Sequence, residues 1–415
     1  MFGCGVGAWP DECSGHPARQ AAILHCLLKW DMPRSFDVCI RGGGVVGHTL
    51  ALLLARERLR VALLVRPQAS QPPEIAPADV RAYALNSASR TLLQTLRAWP
   101  EPAFATPVLE MQVWGDSGGK LDFNARSLPQ SAGSEGSAGS DPAGPALAWI
   151  VDVPELEQQL RQATRYQSHI EIVDEAPPAA LTVICEGQKS SSRNELGAHV
   201  AIKSYAQKAI AARLVSSQPH HGVARQWFAG GDVLALLPLG GPDGNSLALV
   251  WSVSVERASA LQKLAGEAFC AALQIDCGQQ VGALHLTSER AAWPLSLSHA
   301  ARWVGPGWAL AGDAAHTVHP LAGQGLNLGL ADAASLAGVI AAREYWRALG
   351  DEKLLRRYER SRKADVAATA AVTDGLYGLF AQPDAPWQAL RNWGMNGFSR
   401  SGFLKNWVTR QAAGL

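Results

Sequence analysis

From residue 36 onward, apolar runs of strand length alternate with segments of helical spacing. Phe36–Ile40 and Arg60–Val65 are short apolar runs, and Val45–Arg58 between them carries apolar residues at helical spacing. Glycines cluster between residues 42 and 47, where the first run meets the helix. This order of strand, glycine turn, helix and strand predicts a βαβ unit.

The rest of the chain divides in the same way. Residues 126–146 are rich in Ser, Gly, Pro and Ala, so we predict a mobile loop there. Residues 1–31 fit no element, and we predict either that Met32 is the physiological start or that these residues are disordered. The pattern predicts helices at Pro154–Gln162, Glu256–Ala272, Ala322–Arg343 and within 350–415, and strands at Leu181–Cys185, Leu234–Pro238, Leu247–Val253 and Trp308–Ala311.

Charge and composition narrow the class of protein. Among 415 residues, 37 are Lys or Arg and 36 are Asp or Glu, so the net charge of +1 offers no field to attract nucleic acid. No run reaches the roughly 18 consecutive apolar residues of a membrane span. The low charged fraction of 18% leaves a peripheral membrane contact open. The seven cysteines include no C-x-x-C pair, which favours reduced thiols in the cytoplasm.

The glycine-rich turn is the first candidate site. It reads Gly42-x-Gly44-x-x-Gly47, with Ala51 one turn later in the helix. Gly42 permits a tight turn, Gly44 lets a pyrophosphate approach the backbone, and Gly47 lets the helix lie close to the strand. With Val46, these residues would place the free N–H groups of a helix N-terminus against a phosphate. The alternative is a glycine turn that only packs.

Two neighbours of this turn depart from the usual dinucleotide-binding pattern. The second strand ends on Val65, where an acid would hold the ribose hydroxyls. His48 takes a position in the first helix that is usually small or apolar, and we expect it to face solvent.

A second glycine-containing run follows a buried strand and precedes the long predicted helix. Asp313 at the strand end can accept hydrogen bonds from a polyol, and residues 323–327 would aim backbone N–H groups at an electron-rich acceptor. Helix capping is the alternative for Asp313 alone. His316 and His319 lack the further ligands that zinc needs, so we predict no metal site. The run reads Gly312-Asp313-Ala-Ala-His316, then Pro320, then Gly323-Gln324-Gly325-Leu326-Asn327.

Together the two runs resemble those of the flavoprotein monooxygenases of the aromatic-hydroxylase fold. More narrowly, the chain from about Phe36 to Leu415 is similar to the ubiquinone-biosynthesis hydroxylases. This narrower resemblance rests on three sets of segments: Asp79-x-Arg81 with Ala84-Leu85, Ser89, Leu92 and Trp99; Phe228 and Gly230 with Leu234–Leu239 and Trp251-Ser252; and Thr373–Leu376, Leu379-Phe380, Arg391-Asn392 and Leu404-Lys405.

The resemblance implies a role for each matched residue of the second run. In that family the Gly-Asp pair binds the ribityl chain of FAD, which assigns this role to Gly312 and Asp313. The family's Gly-Gln-Gly-Leu-Asn segment, residues 323–327 here, meets the flavin ring. Pro320 would pack beside the reactive edge of that ring.

The resemblance also implies roles outside the two runs. Arg81 would pair with the FAD pyrophosphate, although as an isolated residue it would be interpreted as a surface arginine. Glu186, in Glu186-Gly187-x-x-Ser190-x-x-Arg193, stands where the family has an Asp tied to both FAD and NAD(P)H handling. Residues 166–180 are shorter than the corresponding family segment, which usually carries extra strands.

The fold class that follows is α/β. We expect a Rossmann-like FAD-binding domain, an inserted mixed β-sheet substrate domain, and C-terminal helices. In chain order we predict an extension at 1–34, FAD-binding parts at 35–100, 149–195 and 291–345, substrate-domain parts at 101–148 and 196–290, and C-terminal helices at 346–415.

The resemblance implies an FAD- and NAD(P)H-dependent monooxygenase that hydroxylates the ring of a polyprenylated phenol or quinol. Reduced flavin would react with O2 to give a hydroperoxide, so no protein nucleophile is required and no catalytic side chain is assigned. A peripheral membrane contact through the C-terminus and membership of a ubiquinone-biosynthesis complex are the expected associations. Two alternatives stay open: a flavin reductase or oxidase of the same fold, and a flavin-poor scaffold subunit.

Overall fold

The computed structural model describes residues 36–65, 79–115, 119–127, 145–278, 280–318 and 324–381. The predictions for residues 1–34, for most of 126–146 and for the end of 350–415 concern residues outside these ranges. Pro320, Gly323 and His319 also lie outside them.

Eight α-helices lie within the described residues, and they confirm most of the predicted ones. The predicted helix at Glu256–Ala272 is wrong in one respect, because the chain is extended at Leu264 and Ala265 and forms two helices there. The bounds are α1 Val45–Arg56, α2 Ser87–Thr95, α3 Val153–Arg165, α4 Ser192–Glu195, α5 Val255–Lys263, α6 Gly266–Cys277, α7 Gln324–Ala341 and α8 Glu352–Ala381.

The strands of the described residues fall into three sheets, and every predicted strand is present among them. Their bounds are β1 Phe36–Arg41, β2 Val61–Leu64, β3 Ala82–Leu85, β4 Ala105–Val108, β5 Glu110–Trp114, β6 Lys120–Asn124, β7 Ala148–Asp152, β8 Ile170–Val173, β9 Ala179–Ile184, β10 Val200–Ser216, β11 Val223–Ala229, β12 Asp232–Pro238, β13 Ser246–Ser254, β14 Leu284–Leu286, β15 Ala291–Ala300, β16 Val304–Gly305, β17 Trp308–Leu310 and β18 His316–Thr317.

The first sheet is six-stranded, in the order β16, β17, β9, β1, β2, β8. β1 pairs in parallel with β2, with Val38 opposite Val61, and in parallel with β9 on its other side. The predicted βαβ unit is therefore confirmed. All four residues of β2 are buried, as expected for a parallel sheet that is covered on both faces.

The second sheet has nine strands, in the order β18, β15, β10, β13, β12, β11, β5, β6, with β14 paired to β10. Helices α5 and α6 cover one face of it, where Trp251, Phe269 and Leu273 are fully buried in one core cluster. The predicted domain boundary at residue 290 stays a prediction. The structure places β15, which begins directly after it, in this sheet beside β10.

A three-stranded antiparallel sheet, in the order β3, β7, β4, lies between these two layers. Ile150 of β7 packs with Ala224 of the nine-stranded sheet and with Leu239, the residue that follows β12. On the other side, Val151 and Leu85 pack with Leu52 of α1 and Leu330 of α7. This layer fixes the position of the nine-stranded sheet relative to the six-stranded one.

Within the described residues, no helix combines the length and apolar character that a bilayer-crossing segment needs.

Candidate functional site

Close backbone contacts shape the first glycine-rich turn. Gly42 has a φ of +122°, a conformation that L side chains rarely adopt. A Cβ atom there would lie 2.4 Å from the Cys185 carbonyl oxygen, and a Cβ at Gly47 would lie 1.9 Å from the Gly42 carbonyl oxygen. Both positions therefore require glycine, and α1 starts directly against the end of β1.

Gly44 differs from its two neighbours because a Cβ atom there would meet nothing within 4 Å. It is the N-cap of α1, with extended backbone, and no side chain of the described residues caps it. The first turn of α1 contains no acidic residue. The first N–H groups of a helix lack partners inside the helix and carry the positive end of its dipole. This helix end is open and suited to bind an anion.

The structure brings the second run against the first. Gly312 has a φ of +63°, and a Cβ atom there would lie 3.2 Å from the Val46 side chain. A Cβ at Gly329 in α7 would lie 2.8 Å from the same side chain. Val46 is thus the contact between the two runs, which lie side by side at the carboxyl ends of β1 and β17.

Asp313 stands at this junction with its side chain exposed. Its carboxyl nevertheless has a pKa above the ordinary value, because the surrounding protein desolvates it and the Asp332 charge repels it; His316 and Arg81 act in the opposite direction. An accessible carboxylate with restricted hydration indicates a concave site. It has acceptor capacity for the hydroxyl groups of a ligand.

Arg81 lies at the edge of the same site. Its guanidinium donates to Asp79, at 2.5 to 2.9 Å, and lies 3.5 Å from Glu157. The Asp79 hydrogen bonds raise the pKa of Arg81, so its charge is permanent. The pKa of Tyr83 is raised, first by burial and also by the Asp313 charge, while Arg81 opposes this. Pairing of Arg81 with a pyrophosphate stays a prediction.

The start of α7 supplies four of the predicted flavin-ring residues. Gln324, Gly325 and Leu326 are partly exposed, and a Cβ at Gly325 would meet nothing within 4 Å. Asn327 is buried, and its side chain accepts from the Asn86 backbone and the Ser89 hydroxyl and donates to the Ala84 carbonyl. Its side chain therefore joins α7 to α2 and β3.

The segment after β9, which includes α4, contacts the second run through Arg193. Glu186 accepts hydrogen bonds from Ser190 and from the hydroxyl and backbone of Ser192. Burial alone would raise the pKa of the Glu186 carboxyl, but these bonds and the Arg41 charge outweigh it and lower the pKa. Arg193, almost fully buried, donates at 3.0 Å to the carbonyl of Ala314, the residue after Asp313.

One prediction about the first helix is wrong, because His48 does not face solvent. It is 2% exposed, and its Nδ1 lies 2.9 Å from the Thr164 hydroxyl of α3. The Thr164 hydroxyl donates to the Leu160 carbonyl, so His48 Nδ1 carries the hydrogen. Helix α1 is covered by α3 on one side and by α7 on the other, and no amphipathic pattern reveals a helix buried on both sides.

Several residues of the site were not predicted from the sequence. Asp332, inside α7, accepts from the Gly312 backbone, and Tyr83 is coupled to both Arg81 and Asp313. Arg213 of β10 donates to the Arg81 carbonyl and pairs with Asp152 at 3.0 Å. One signal was available for Asp332, since it is a lone acid in a long apolar helix, where an unpaired charge would be costly.

These residues fit FAD. The open space above Gly44 and the uncapped end of α1 suit a pyrophosphate, and the accessible carboxylate of Asp313 suits a ribityl chain. The contact of Val46 with Gly312 places the two within one cleft.

The chain has known relatives over most of its length. The FAD binding domain family matches residues 156–373. Ubiquinone hydroxylase UbiL of Rhodospirillum rubrum is 31% identical over 396 residues, which cover 91% of this chain and 89% of that protein. The 3-demethoxyubiquinol 3-hydroxylase of Escherichia coli is 29% identical, with 91% of this chain and 98% of that protein covered.

Solved structures show the same fold at lower identity. The probable FAD-dependent monooxygenase pqsL of Pseudomonas aeruginosa superposes with a TM-score of 0.69 at 21% identity, covering 88% of this chain and all of that one. The p-nitrophenol 4-monooxygenase PnpA of Pseudomonas putida also superposes with a TM-score of 0.69, at 16% identity over 91% of this chain and 97% of that one. The predicted α/β fold is confirmed, and the chain belongs to the FAD-dependent monooxygenases of the ubiquinone-biosynthesis hydroxylase family.

Proposed function

We propose that this protein uses NAD(P)H and O2 to hydroxylate the aromatic ring of a polyprenylated phenol or quinol in ubiquinone biosynthesis. The observation that carries the proposal is the convergence of two distant runs on one cleft that fits FAD: Gly42–Gly47, and the described parts of the second run, 312–318 and 324–327. The named relatives support the substrate class, since both names refer to ubiquinone or a ubiquinol precursor.

Each part of the cleft has a defined task in this proposal. The N-terminus of α1 binds the pyrophosphate, with Arg81 beside it, and Asp313 accepts hydrogen bonds from the ribityl hydroxyls. The N-terminus of α7 directs the positive end of its dipole at the flavin ring and stabilises negative charge there. Bound FAD supplies the redox and oxygen chemistry, and the chain orients the substrate ring and excludes water.

NAD(P)H has a transient site in this proposal. The sequence contains a single G-x-G-x-x-G turn, which would hold FAD. A second nucleotide would then dock on the surface of the loaded enzyme, reduce the flavin and leave.

The test uses the purified protein, FAD, NAD(P)H and a phenol with a short prenyl tail under isotopically labelled O2. Flavin absorption bands and label in the hydroxylated product are expected. NAD(P)H oxidation without label in the product would favour a reductase or oxidase. Absent flavin bands, even after FAD is added, would favour a scaffold subunit. Complementation of strains that lack single ring hydroxylases then identifies the carbon that is hydroxylated.

A peripheral membrane contact is part of the proposal, because a polyprenylated substrate resides in the bilayer. The loop between α7 and α8 exposes Tyr345 and Trp346 to 94% and 69%, and the two rings pack edge to face at 4.9 Å. Aromatic residues of this kind favour the interface of a bilayer, and basic side chains attract anionic lipids. The exposed face of α8 next to this loop carries Lys353 and Arg360, whereas Arg356 and Arg357 pair with Glu352 and Glu344.

Vesicle flotation tests this contact. The double variant Tyr345→Ser, Trp346→Ser should bind vesicles containing phosphatidylglycerol several-fold less than the wild type. Tyr166→Ser is the matched control, since Tyr166 is 88% exposed in the loop after α3. Deletion of the residues after about 380 should also release the protein. Equal binding of the double variant and the control would exclude the Tyr345–Trp346 loop as the contact.

A further inference from the structure

A fully buried carboxylate lies directly behind the turn that carries Asp313. Asp332 is 0% exposed within α7, and one of its oxygens accepts the Gly312 backbone N–H at 2.9 Å. The Nε2 atom of His316 lies 2.7 Å from the same oxygen. A buried carboxylate is tolerated only when donors surround it, so these contacts compensate for its loss of water. Asp332 thereby fixes both ends of the segment that contains Asp313.

The charge of Asp332 is balanced from α8, the helix that follows the Tyr345–Trp346 loop. The Nε of Arg362 donates to the second Asp332 oxygen at 2.8 Å, and Arg362 is itself only 6% exposed. Its other nitrogens donate to Asp365 and to the Leu328 carbonyl of α7. A guanidinium presents several donors in a fixed plane, so this side chain holds Asp332 in one orientation.

Further contacts hold the same turn from other sides. Gly312 has a left-handed φ of +63° and lies against Val46 of the first run. On the opposite side, Arg193 donates to the Ala314 carbonyl at 3.0 Å. Asp313 is therefore exposed on a turn that buried side chains hold on two sides: Asp332 accepts from the Gly312 N–H, and Arg193 donates to the Ala314 carbonyl. Side chains remote from the ligand therefore determine where the Asp313 carboxylate points.

From these contacts we propose that α8 is part of the FAD site: Arg362 orients Asp332, and Asp332 holds the Gly312–Asp313 turn in the conformation that receives the ribityl chain. Asp332 and Arg362 are positioning residues, since neither reaches the cleft. The proposal depends on FAD binding alone, so it does not depend on which substrate is hydroxylated.

The test separates positioning from fold stability by combining two variants. Arg362→Leu leaves a buried carboxylate without its cation and should weaken FAD binding about tenfold or more, with a loss of apoprotein stability as well. The double variant Asp332→Leu, Arg362→Leu removes both charges, and such apolar replacements of a buried pair often restore stability. It should melt near the wild-type temperature without FAD but keep the weakened affinity, because the Gly312 N–H and His316 have lost their acceptor.

FAD affinity is measured by quenching of flavin fluorescence, and apoprotein stability by thermal unfolding. Visible circular dichroism reports the protein environment of the bound flavin. Arg362→Lys should recover part of the affinity. Arg356→Leu is the control, since Arg356 lies on the same helix, is exposed, and pairs with Glu352 instead. A stable double variant that binds FAD as the wild type does, with an unchanged dichroism spectrum, would overturn the proposal. So would equal losses of FAD affinity in Arg356→Leu and Arg362→Leu.

Discussion

The two sides of the FAD cleft are built in different ways. Around Gly42 and Gly47, backbone atoms approach so closely that no side chain fits, and no described side chain caps the helix that begins there. Around Gly312 and Asp313, buried side chains from α4, α7 and α8 hold the turn. The first side depends on close backbone contacts, within the turn itself and with the Cys185 carbonyl that follows β9. The second depends on side chains that are far away in the chain. Substitutions in remote helices should therefore alter ligand binding only through this second side.

The largest expected effect concerns the backbone-built side. Gly47→Ala would place a methyl group 1.9 Å from the Gly42 carbonyl oxygen, which a rigid strand end cannot avoid. We expect a loss of about 3 kcal/mol or more, or failure to fold, as for severe overpacking. Thermal unfolding of the apoprotein measures it.

Gly44→Ala is the matched control, since a methyl group there meets nothing within 4 Å. It should cost at most about 1 kcal/mol of stability, yet weaken FAD binding about tenfold, because the pyrophosphate needs that space. A Gly44→Ala protein with unchanged FAD affinity would show that the pyrophosphate does not approach this residue. Normal stability of Gly47→Ala would show that the contact between helix and turn is looser than described.

The same difference explains which features could be predicted from the sequence. The turn Gly42–Gly47 follows from residues that are adjacent in the chain, as do the strand before it and the helix after it. The supports of Asp313 do not: Asp332 lies 20 positions from Gly312, and Arg193 lies 121 positions from Ala314. Nothing local indicates that these side chains meet. Only tertiary packing determines those contacts.

The error at His48 has a related cause. A polar residue in an apolar helix is usually assigned to the solvent side. Here α3 supplies a hydroxyl acceptor, Thr164, from 116 positions away, and the ring is buried. The break at Leu264 was missed for the opposite reason, since no proline marks it and Gly266 opens the second helix instead of ending the first.

The buried histidine of α1, His48, makes the stability of the fold depend on pH. Burial lowers the pKa of His48 to about 4, and the nearby Arg161 charge acts in the same direction. As the pH falls, His48 is therefore protonated near pH 6.5 in the unfolded chain, whereas in the folded chain it stays neutral until about pH 4. Stability is fully present above pH 6.5 and is lost as the pH falls through 4, by on the order of 3 kcal/mol.

His48→Gln should flatten this part of the pH profile, since the glutamine amide does not titrate. Urea unfolding at pH 7 and pH 4.5 measures the effect, with His285→Gln, an exposed histidine, as the control. FAD affinity at pH 7 should change little, because His48 faces α3 rather than the cleft. Identical pH dependence of wild type and His48→Gln would show that another group causes the acid lability.

The smallest expected change in stability, and one of opposite sign, lies at Asp313 on the side built from side chains. Desolvation raises the pKa of this carboxyl above its ordinary value of 3.8, so its ionised form disfavours the folded apoprotein as the pH rises through that range. Asp313→Asn should therefore melt slightly higher than the wild type at pH 7, with the difference vanishing below about pH 3.8. Without the charge, hydrogen bonds to the ribityl hydroxyls weaken, so FAD should bind about tenfold less tightly. A residue retained for ligand binding at the expense of stability shows this combination. If Asp313→Asn lowers both the stability and the FAD affinity, Asp313 itself supports the turn. The distinction between buried side chains that hold the turn and an exposed Asp313 that only binds the ligand would then be wrong.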